Sequence, residues 1–454
     1  MKPFLLSDAL RAMGGRYFGD ETALNRRVTR VTSDSRDAGE GALFVAFKGN
    51  RVDGHSFMAG CIEKGAAACV TEREPAENER PAIQVDSSLK AVGALAAWHR
   101  SRFDIPVIGI TGSVGKTTTK EMVAAVLGEK FNTHKTQKNF NNELGVPRTL
   151  LGLDDGHQAA VVEMGISDFG EMRRLTNMVR PTVAVFSVIG DAHLEFLGDR
   201  PGVLRAKGEI FEGMDDTGLA VLNGDDPLLA ACRPNMRRVL YGQGENCDVR
   251  AENVRNLGED GIALTIRHAK GAFEAKIPAF GSHMIYAALA AAAVGLELGL
   301  TDGEIARGIA AYQTVGDRAR VIHANGLTVV SDCYNANPNS CRAALDSLAA
   351  LGGRRVCVLG DMLELGGQTA ALHSAVGEYA AVLGIEKIVA CGPLAAHIAD
   401  GAKAAGGDAV YCPDKAALLA ELDEIVRPGD SVLVKASHSM AFEEIVEALT
   451  KMEQ

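Results

Sequence analysis

The sequence predicts an α/β chain of three domains, and three observations predict it. Its 454 residues exceed what one core accommodates and correspond to about three domains of about 150 residues each. From residue 106 onward, apolar runs without alternation recur between helical patterns, as strands buried on both faces of a parallel sheet do. One block, residues 248–278, alternates apolar and polar side chains instead, which predicts an antiparallel patch.

The elements follow in order. Residues 1–87 mix short apolar runs (42–47, 66–70) with turn residues and form a small α/β domain, after which 89–102 reads as a helix. The central domain, 88–316, places strands at 106–111, 159–165, 182–189 and 219–222, each bounded by Gly, Asp or Asn. The antiparallel patch comes next, and Ser282 is expected to cap a helix over 283–298. In the last domain, 317–454, strands read at 327–333, 355–359, 387–391, 409–411 and 431–435 with helical patterns between them. That alternation predicts a doubly wound, Rossmann-like sheet. Ile445, Val446 and Leu449 mark the inner face of a closing helix.

Composition excludes several functions. Lys and Arg number 47 against 58 Asp and Glu, a net charge of −11 with no basic block, which argues against nucleic-acid or anionic-membrane partners. The nine cysteines are odd in number and include no C-x-x-C pair, as expected of reduced, buried thiols. Ser7, Asp8 and Arg11 interrupt the first fifteen residues, so no secretory h-region is present, and the most apolar window, 284–296, is too short to insert in a membrane. The expectation is a cytoplasmic protein.

The sharpest signal is Pro106-Val-Ile-Gly-Ile-Thr-Gly-Ser-Val-Gly-Lys-Thr-Thr-Thr-Lys120. A β-run enters, Gly112 and Gly115 free the backbone, and Met122, Val123, Val126 and Leu127 follow at helical spacing. This geometry aims backbone N–H groups and a helix N-terminus at phosphate, with Lys116 as the cation and Thr117 as an Mg²⁺ ligand. The usual motif has Gly five residues before Gly115, where this chain has Ile110. The central domain is accordingly read as a P-loop ATPase domain.

In open parallel sheets, ligands bind beyond the carboxyl ends of the strands. Glu163 closes one apolar run there, His193 follows another, and Asn223-Gly-Asp-Asp226 follows a third. Each alone reads as a turn residue; together on the phosphate-loop edge they read as a site suited to Mg²⁺ around a transferring phosphate. Lys207 stands at helical spacing from Val203, Leu204, Ile210 and Phe211. A lysine on such a stripe must snorkel, pair or lose its proton.

These residues lie in segments that resemble the ATP-dependent Mur ligases over essentially the whole chain. The segments are Thr111-Gly-Ser-Val-Gly-Lys-Thr-Thr-Thr-Lys-Glu121, Asn139-Phe-Asn-Asn-Glu-Leu-Gly-Val-Pro147, Glu163-Met-Gly165 and Ala206-Lys-Gly-Glu-Ile-Phe211, with Asp332-Cys-Tyr-Asn-Ala-Asn-Pro338 and Gly360-Asp-Met-Leu-Glu-Leu-Gly366 in the last domain. The last two resemble most specifically the branch that joins D-alanyl-D-alanine to UDP-N-acetylmuramoyl-tripeptide through an acyl phosphate, in peptidoglycan precursor synthesis.

The resemblance implies a role for each matching position. Thr111, Gly112, Ser113, Val114, Gly115, Lys116, Thr117 and Thr118 would bind ATP, joined by His283 and by Arg318, Asp332, Asn335 and Asn337 of the third domain. Thr117 and Glu163 would hold one Mg²⁺, and His193 with a CO₂-derived carbamate on Lys207 a second. Lys116, Glu163, His193 and Lys207 would be catalytic. Asn139, Asn141 and Asn142, with Ser35, Arg36, Asp53 and His55 in Asp34-Ser-Arg36 and Lys48-Gly-Asn-Arg-Val-Asp-Gly-His55, would hold the UDP-linked substrate.

The implied enzyme is a monomer. The chain departs from the family pattern at Met284 and Ala287, where Asn is usual, at Asp317, and at Ala436 and His438. These departures bear on base and acceptor recognition, so a Mur-ligase paralogue or a folylpolyglutamate-synthetase-like ligase with another amine acceptor is the alternative. A P-loop kinase or nucleotide switch is a further one.

Overall fold

The computed structural model describes residues 1–49, 52–314, 316 and 319–452. Its centre is a nine-stranded sheet, in which Val107–Thr111 lies between Ala159–Glu163 and Val183–Phe186, both parallel to it. All three strands are buried from end to end, which is why each reads as an unbroken apolar run. Glu163 pairs with Ile110 and Phe186 with Thr111, so the three carboxyl ends stop level. Leu219–Asn223 continues the sheet in parallel and brings Asn223 to the same edge.

The alternating block forms Val249–Asn256, Ile262–His268 and Gly271–Ile277, joined antiparallel at one end of the sheet. Two further strands carry no apolar run of the kind that marks the others. Thr133–Lys135 is short and half-buried at the far edge, and Arg237–Gly242 opens on two arginines. Arg237 pairs with Glu297, while Arg238 donates to the Ala230 and Cys232 carbonyls at 3.0 Å each, which keeps both charges at the rim of a buried strand.

The alanine-rich helix Met284–Glu297 fills one face of this sheet. Ser282 does not cap it. Gly281, at φ 103, turns the chain so that Met284 N and Ile285 N find the Gly281 and Ser282 carbonyls, and no side chain is required.

The first sheet orders Arg16–Phe18, Ala82–Gln84, Ala68–Thr71, Ala42–Val45 and Arg30–Thr32, parallel except at the Arg16–Phe18 edge. Helix Ser88–Arg100 starts at Ser87, whose hydroxyl accepts from Lys90 N. Its buried Leu95 and Ala96 belong to one apolar core that extends from Phe4 and Val45 to Val162 and Leu175, so the first and central sheets share a core.

The third sheet orders Arg320–Ala324, Leu327–Ser331, Asp430–Lys435, Arg354–Gly360, Lys387–Cys391 and Ala409–Cys412, all parallel except the first pair. Helices cover both faces, and the closing helix Glu443–Lys451 buries Ile445, Val446 and Leu449. All nine cysteines are free thiols, buried except for half-buried Cys232. Among the described residues no helix is long and apolar enough to cross a membrane.

Arg100 ties the end of helix Ser88–Arg100 to the body of the central domain. Its buried guanidinium donates to the carbonyls of Val179 (3.0 Å), Phe103 (2.6 Å) and Arg180 (3.3 Å). Arg100→Met would strand three carbonyls, and charged hydrogen bonds of this kind are each worth about 1.5–3 kcal/mol. The variant should unfold at clearly lower denaturant, by about 2–4 kcal/mol overall, in urea melts followed by circular dichroism; an unshifted midpoint would refute the tie.

Candidate active site

The sequence between Val107–Thr111 and helix Lys116–Gly128 is a turn that only glycine fits at two places. Gly115 takes φ 82 at the helix N-cap, and a Cβ on Gly112, at φ 141, would stand 2.0 Å from Ser187 Oγ. The neighbouring strand end straps the loop. Ser187 Oγ donates to Val114 O at 2.5 Å, and Ser113 Oγ accepts from Gly190 N at 2.9 Å. Lys116 Nζ folds back over the loop to the carbonyls of Gly112 (2.9 Å) and Ser113 (3.3 Å). The result is an open helix N-terminus with a cation beside it, which suits phosphate.

Glu163 is placed by the level strand ends. Thr117 Oγ1 donates to its Oε2 at 2.9 Å and Asn141 Nδ2 to its Oε1 at 2.8 Å, so both carboxylate oxygens are held. Fully buried Lys120 lies 3.9 Å from Oε2 and anchors itself on the Thr136 carbonyl (2.9 Å) and Glu121 (2.8 Å). Thr117 and Glu163 give the hard oxygen donors that Mg²⁺ prefers, and phosphate oxygens and water would complete its shell. No group of three His, Cys, Asp or Glu that could hold a metal ion converges among the described residues.

The opposite wall comes from the third domain. Lys435 Nζ donates to Asp332 Oδ2 (2.5 Å) and to the Asn335 carbonyl (2.8 Å), and Asn337 caps helix Pro338–Ala349 through Ser340 N. Both walls enclose one cleft of about 770 Å³, lined by Ser113 through Thr119, Asn141, Asn142, Glu163, His193, His283, Asp332, Asn335, Asn337 and Lys435 among others. A phosphate loop, a carboxylate on the next strand and a polar wall from a second sheet describe a nucleotide-dependent transferase or ligase closed from two sides.

Models of the Mur ligase family match the chain in three stretches: its catalytic domain over 27–100, the middle domain over 110–295, and the glutamate ligase domain over 317–438. The UDP-N-acetylmuramoyl-tripeptide–D-alanyl-D-alanine ligase of Bacillus subtilis (strain 168) is 38% identical over 427 residues, 92% of each chain. That of Escherichia coli (strain K12) is 37% identical over 451 residues, 98% of each. The chain belongs to the Mur ligase family.

Among solved structures, MurF from Acinetobacter baumannii superposes with a TM-score of 0.92 at 32% identity over 100% of both chains. MurF from Thermotoga maritima, solved in complex with ADP, superposes with a TM-score of 0.83 at 29% identity, covering 95% of this chain and 99% of that one.

As a Mur ligase the chain uses ATP, and its expected site residues divide by place. Ser113, Val114, Gly115, Lys116, Thr117, Thr118, Asn141, Asn142, Glu163, His193, His283, Asp332, Asn335 and Asn337 all line the cleft. Gly112 shapes it from behind, and Thr111 is buried beneath with its hydroxyl unpartnered. Asn139, Ser35, Arg36, Asp53 and His55 are not part of its lining.

Arg36 is exposed and folds onto Asp34 (2.6 Å), which holds that carboxyl far below its ordinary range. His55 is buried: its Nδ1 meets the exposed Asp53 carboxylate at 2.6 Å and its Nε2 accepts from Glu72 N, so both ring nitrogens are engaged within the first domain. Asn50, Arg51, Asp317 and Arg318 lie outside the described residues.

The apolar departures Met284 and Ala287 do line the cleft, beside Tyr286 and Phe280. Lys435, which lines the cleft, and Lys120 and Glu364 beside it were given no role from the sequence. Lys120 and Glu364 stand inside recognised motif segments and Lys435 at the end of a strand, but only tertiary contact shows what each of them holds.

His193 stands at φ 55 with Nδ1 2.6 Å from Glu364 Oε2. Burial lowers its pKa, an effect the Lys116 charge reinforces and the Glu364 carboxylate opposes. Lys207 is fully buried and its Nζ has no hydrogen-bond partner, so of the three fates open to it, snorkelling and pairing are absent. Burial, and then the nearby Lys116 charge, push its pKa well below the ordinary lysine value.

A lysine with a depressed folded pKa penalises folding wherever the unfolded chain is protonated, and the penalty fades as pH rises toward the ordinary lysine pKa. Lys207→Met in CO₂-depleted buffer should therefore melt higher than the parent at pH 7, with the gap narrowing by pH 10. A gap that stays constant across that range would refute the buried, deprotonating lysine.

Proposed function

We propose that this chain joins D-alanyl-D-alanine to UDP-N-acetylmuramoyl-tripeptide in an ATP-dependent amide ligation of peptidoglycan precursor synthesis. The observation that carries the reading is the single two-walled cleft, in which Lys116, Glu163 and His193 face Asp332, Asn335 and Lys435. It occurs in a chain aligned over 92% of its length with a ligase named for that reaction. Three units, 1–87, 88–316 and 317–454, would divide the work among the UDP-linked substrate, ATP and closure.

In this reading the loop N–H groups and Lys116 bind the ATP phosphates, and the peptide carboxylate attacks the γ-phosphorus in line, breaking its bond to the β,γ-bridging oxygen so that ADP leaves. Charge spreads onto oxygens already facing a fixed cation, so little reorganisation is needed as the acyl phosphate forms. The dipeptide amine then attacks the activated carbonyl and phosphate leaves. Closure by the third domain keeps water from the acyl phosphate. Mg²⁺ on Thr117 and Glu163 would neutralise the developing phosphate charge. Asn141 and Asn142, and Arg36 with Ser35 in the first domain, are the residues proposed for the UDP-linked substrate.

Lys207 fits a carbamate. Its unpartnered, deprotonating amine is the species that captures CO₂, and the resulting anion would give the second cation a ligand beside His193. Protein equilibrated with ¹³C-bicarbonate should show a carbamate resonance that Lys207→Met lacks; identical spectra would remove the carbamate. The reading as a whole is tested by coupled ADP release across a panel of UDP-linked peptides and D-dipeptides, with mass spectrometry of the product. Lys116→Ala should lower turnover about 10²-fold or more while the fold persists. Near-normal activity would sink the assignment of the ATP site.

A further inference from the structure

His193 and Glu364 come from the central and third domains, and meet with Nδ1 2.6 Å from Oε2. Both have left-handed backbone, φ 55 and 63, which residues other than glycine adopt only where their surroundings hold them. The Glu364 loop is tied to its own domain. Asp361 Oδ1 accepts from Leu394 N and Ala395 N (3.0 and 2.7 Å), Met362 N donates to His373 Nε2 (2.9 Å), and Leu363 N donates to Ser437 Oγ (3.2 Å).

The same loop presses on the central domain at Gly366, where a Cβ would stand 3.2 Å from Glu195 Cα. Asp191 N donates to Asn339 Oδ1 at 2.9 Å, so the third domain grips the His193 segment on both sides. An ionised carboxylate only accepts hydrogen bonds, so the proton of neutral His193 belongs on Nδ1 and the lone pair on Nε2.

We propose that Glu364 is a positioning residue for the ligation: docked against His193, it fixes the Nδ1–H tautomer and leaves Nε2 as the ligating nitrogen of the cleft. The site is then complete only when the third domain is closed. A carboxylate that orients a ligand histidine in this way typically accounts for about 10–100-fold in metal affinity or activity. The inference rests on His193 acting in the proposed reaction.

The test uses the full chain with ¹⁵N-histidine, bound to a non-hydrolysable ATP analogue, with His193→Asn assigning the resonance. His193 should show the Nδ1–H tautomer in the parent and in Glu364→Gln, whose side-chain carbonyl still accepts, and should lose that bias in Glu364→Ala. Glu364→Ala should also raise the Mg²⁺ concentration for half-maximal activity about 10-fold or more. Its affinity for ADP without Mg²⁺ should stay at the parent value, and Glu364→Gln should restore most of the Mg²⁺ response. An Nε2–H tautomer in the parent, or an unchanged tautomer and Mg²⁺ response in Glu364→Ala, would overturn the proposal. If D-alanyl-D-alanine supports no ADP release by the parent, the ligase reading fails instead, and the tautomer measurement still decides the role of Glu364.

Discussion

Three parallel strands that end level are the constraint on which the cleft depends. Their register, Glu163 opposite Ile110 and Phe186 opposite Thr111, brings a carboxylate, a phosphate loop and the Ser187 strap to one edge. A one-residue slip would reverse the faces of every side chain on the slipped strand and bury Glu163 in the apolar layer. The register is secured by apolar side chains on both faces, so burial that has no chemical role fixes the positions of the groups that do. The loop then follows from backbone requirements: a left-handed Gly115 to open the helix, and a bare Gly112 to let Ser187 approach.

Three lysines are almost wholly buried among the described residues, and their contrast explains the polarity of the cleft. Lys120 is neutralised by Glu121 and the Thr136 carbonyl, and it braces Glu163 from below. Lys435 is neutralised by Asp332 and holds the Asn335 turn in place. A buried charge that is paired and hydrogen-bonded in this way is tolerated, and it fixes geometry. Lys207 has no such partner, and an ammonium there would carry its full desolvation cost beside Lys116. The two satisfied lysines act as struts, while the third is left without a hydrogen-bond partner.

What could be read from the sequence was whatever a short segment determines by itself. The phosphate loop is local, strand to glycine to helix, and so was legible, whereas the apolar stripe around Lys207 left open whether its amine snorkels, pairs or loses its proton. Five strands of the third domain were legible because each carries a short, mostly apolar run, whereas Arg320–Ala324, half exposed at the sheet edge, was not. Arg237–Gly242 was not, since its arginines spend their charge at the rim while the strand behind them is buried. At His55 the ring is engaged by Glu72 N and the Asp53 carboxylate, a partnership that spacing alone does not reveal. Glu364 and Lys435 gain meaning only from residues more than a hundred positions away.

The same contacts say which part of the molecule can move. One continuous apolar core runs through the first and central sheets. The third domain keeps two cores largely to itself, receiving Phe280 from the central domain. It touches the central domain chiefly through polar pairs, Asn339 to Asp191, Glu364 to His193 and His323 to Glu259. Breaking such pairs exchanges them for hydrogen bonds to water at small net cost, whereas parting an apolar core exposes its whole area. The weaker seam is therefore the one between the central and third domains, and the residues that bridge it are gathered around His193.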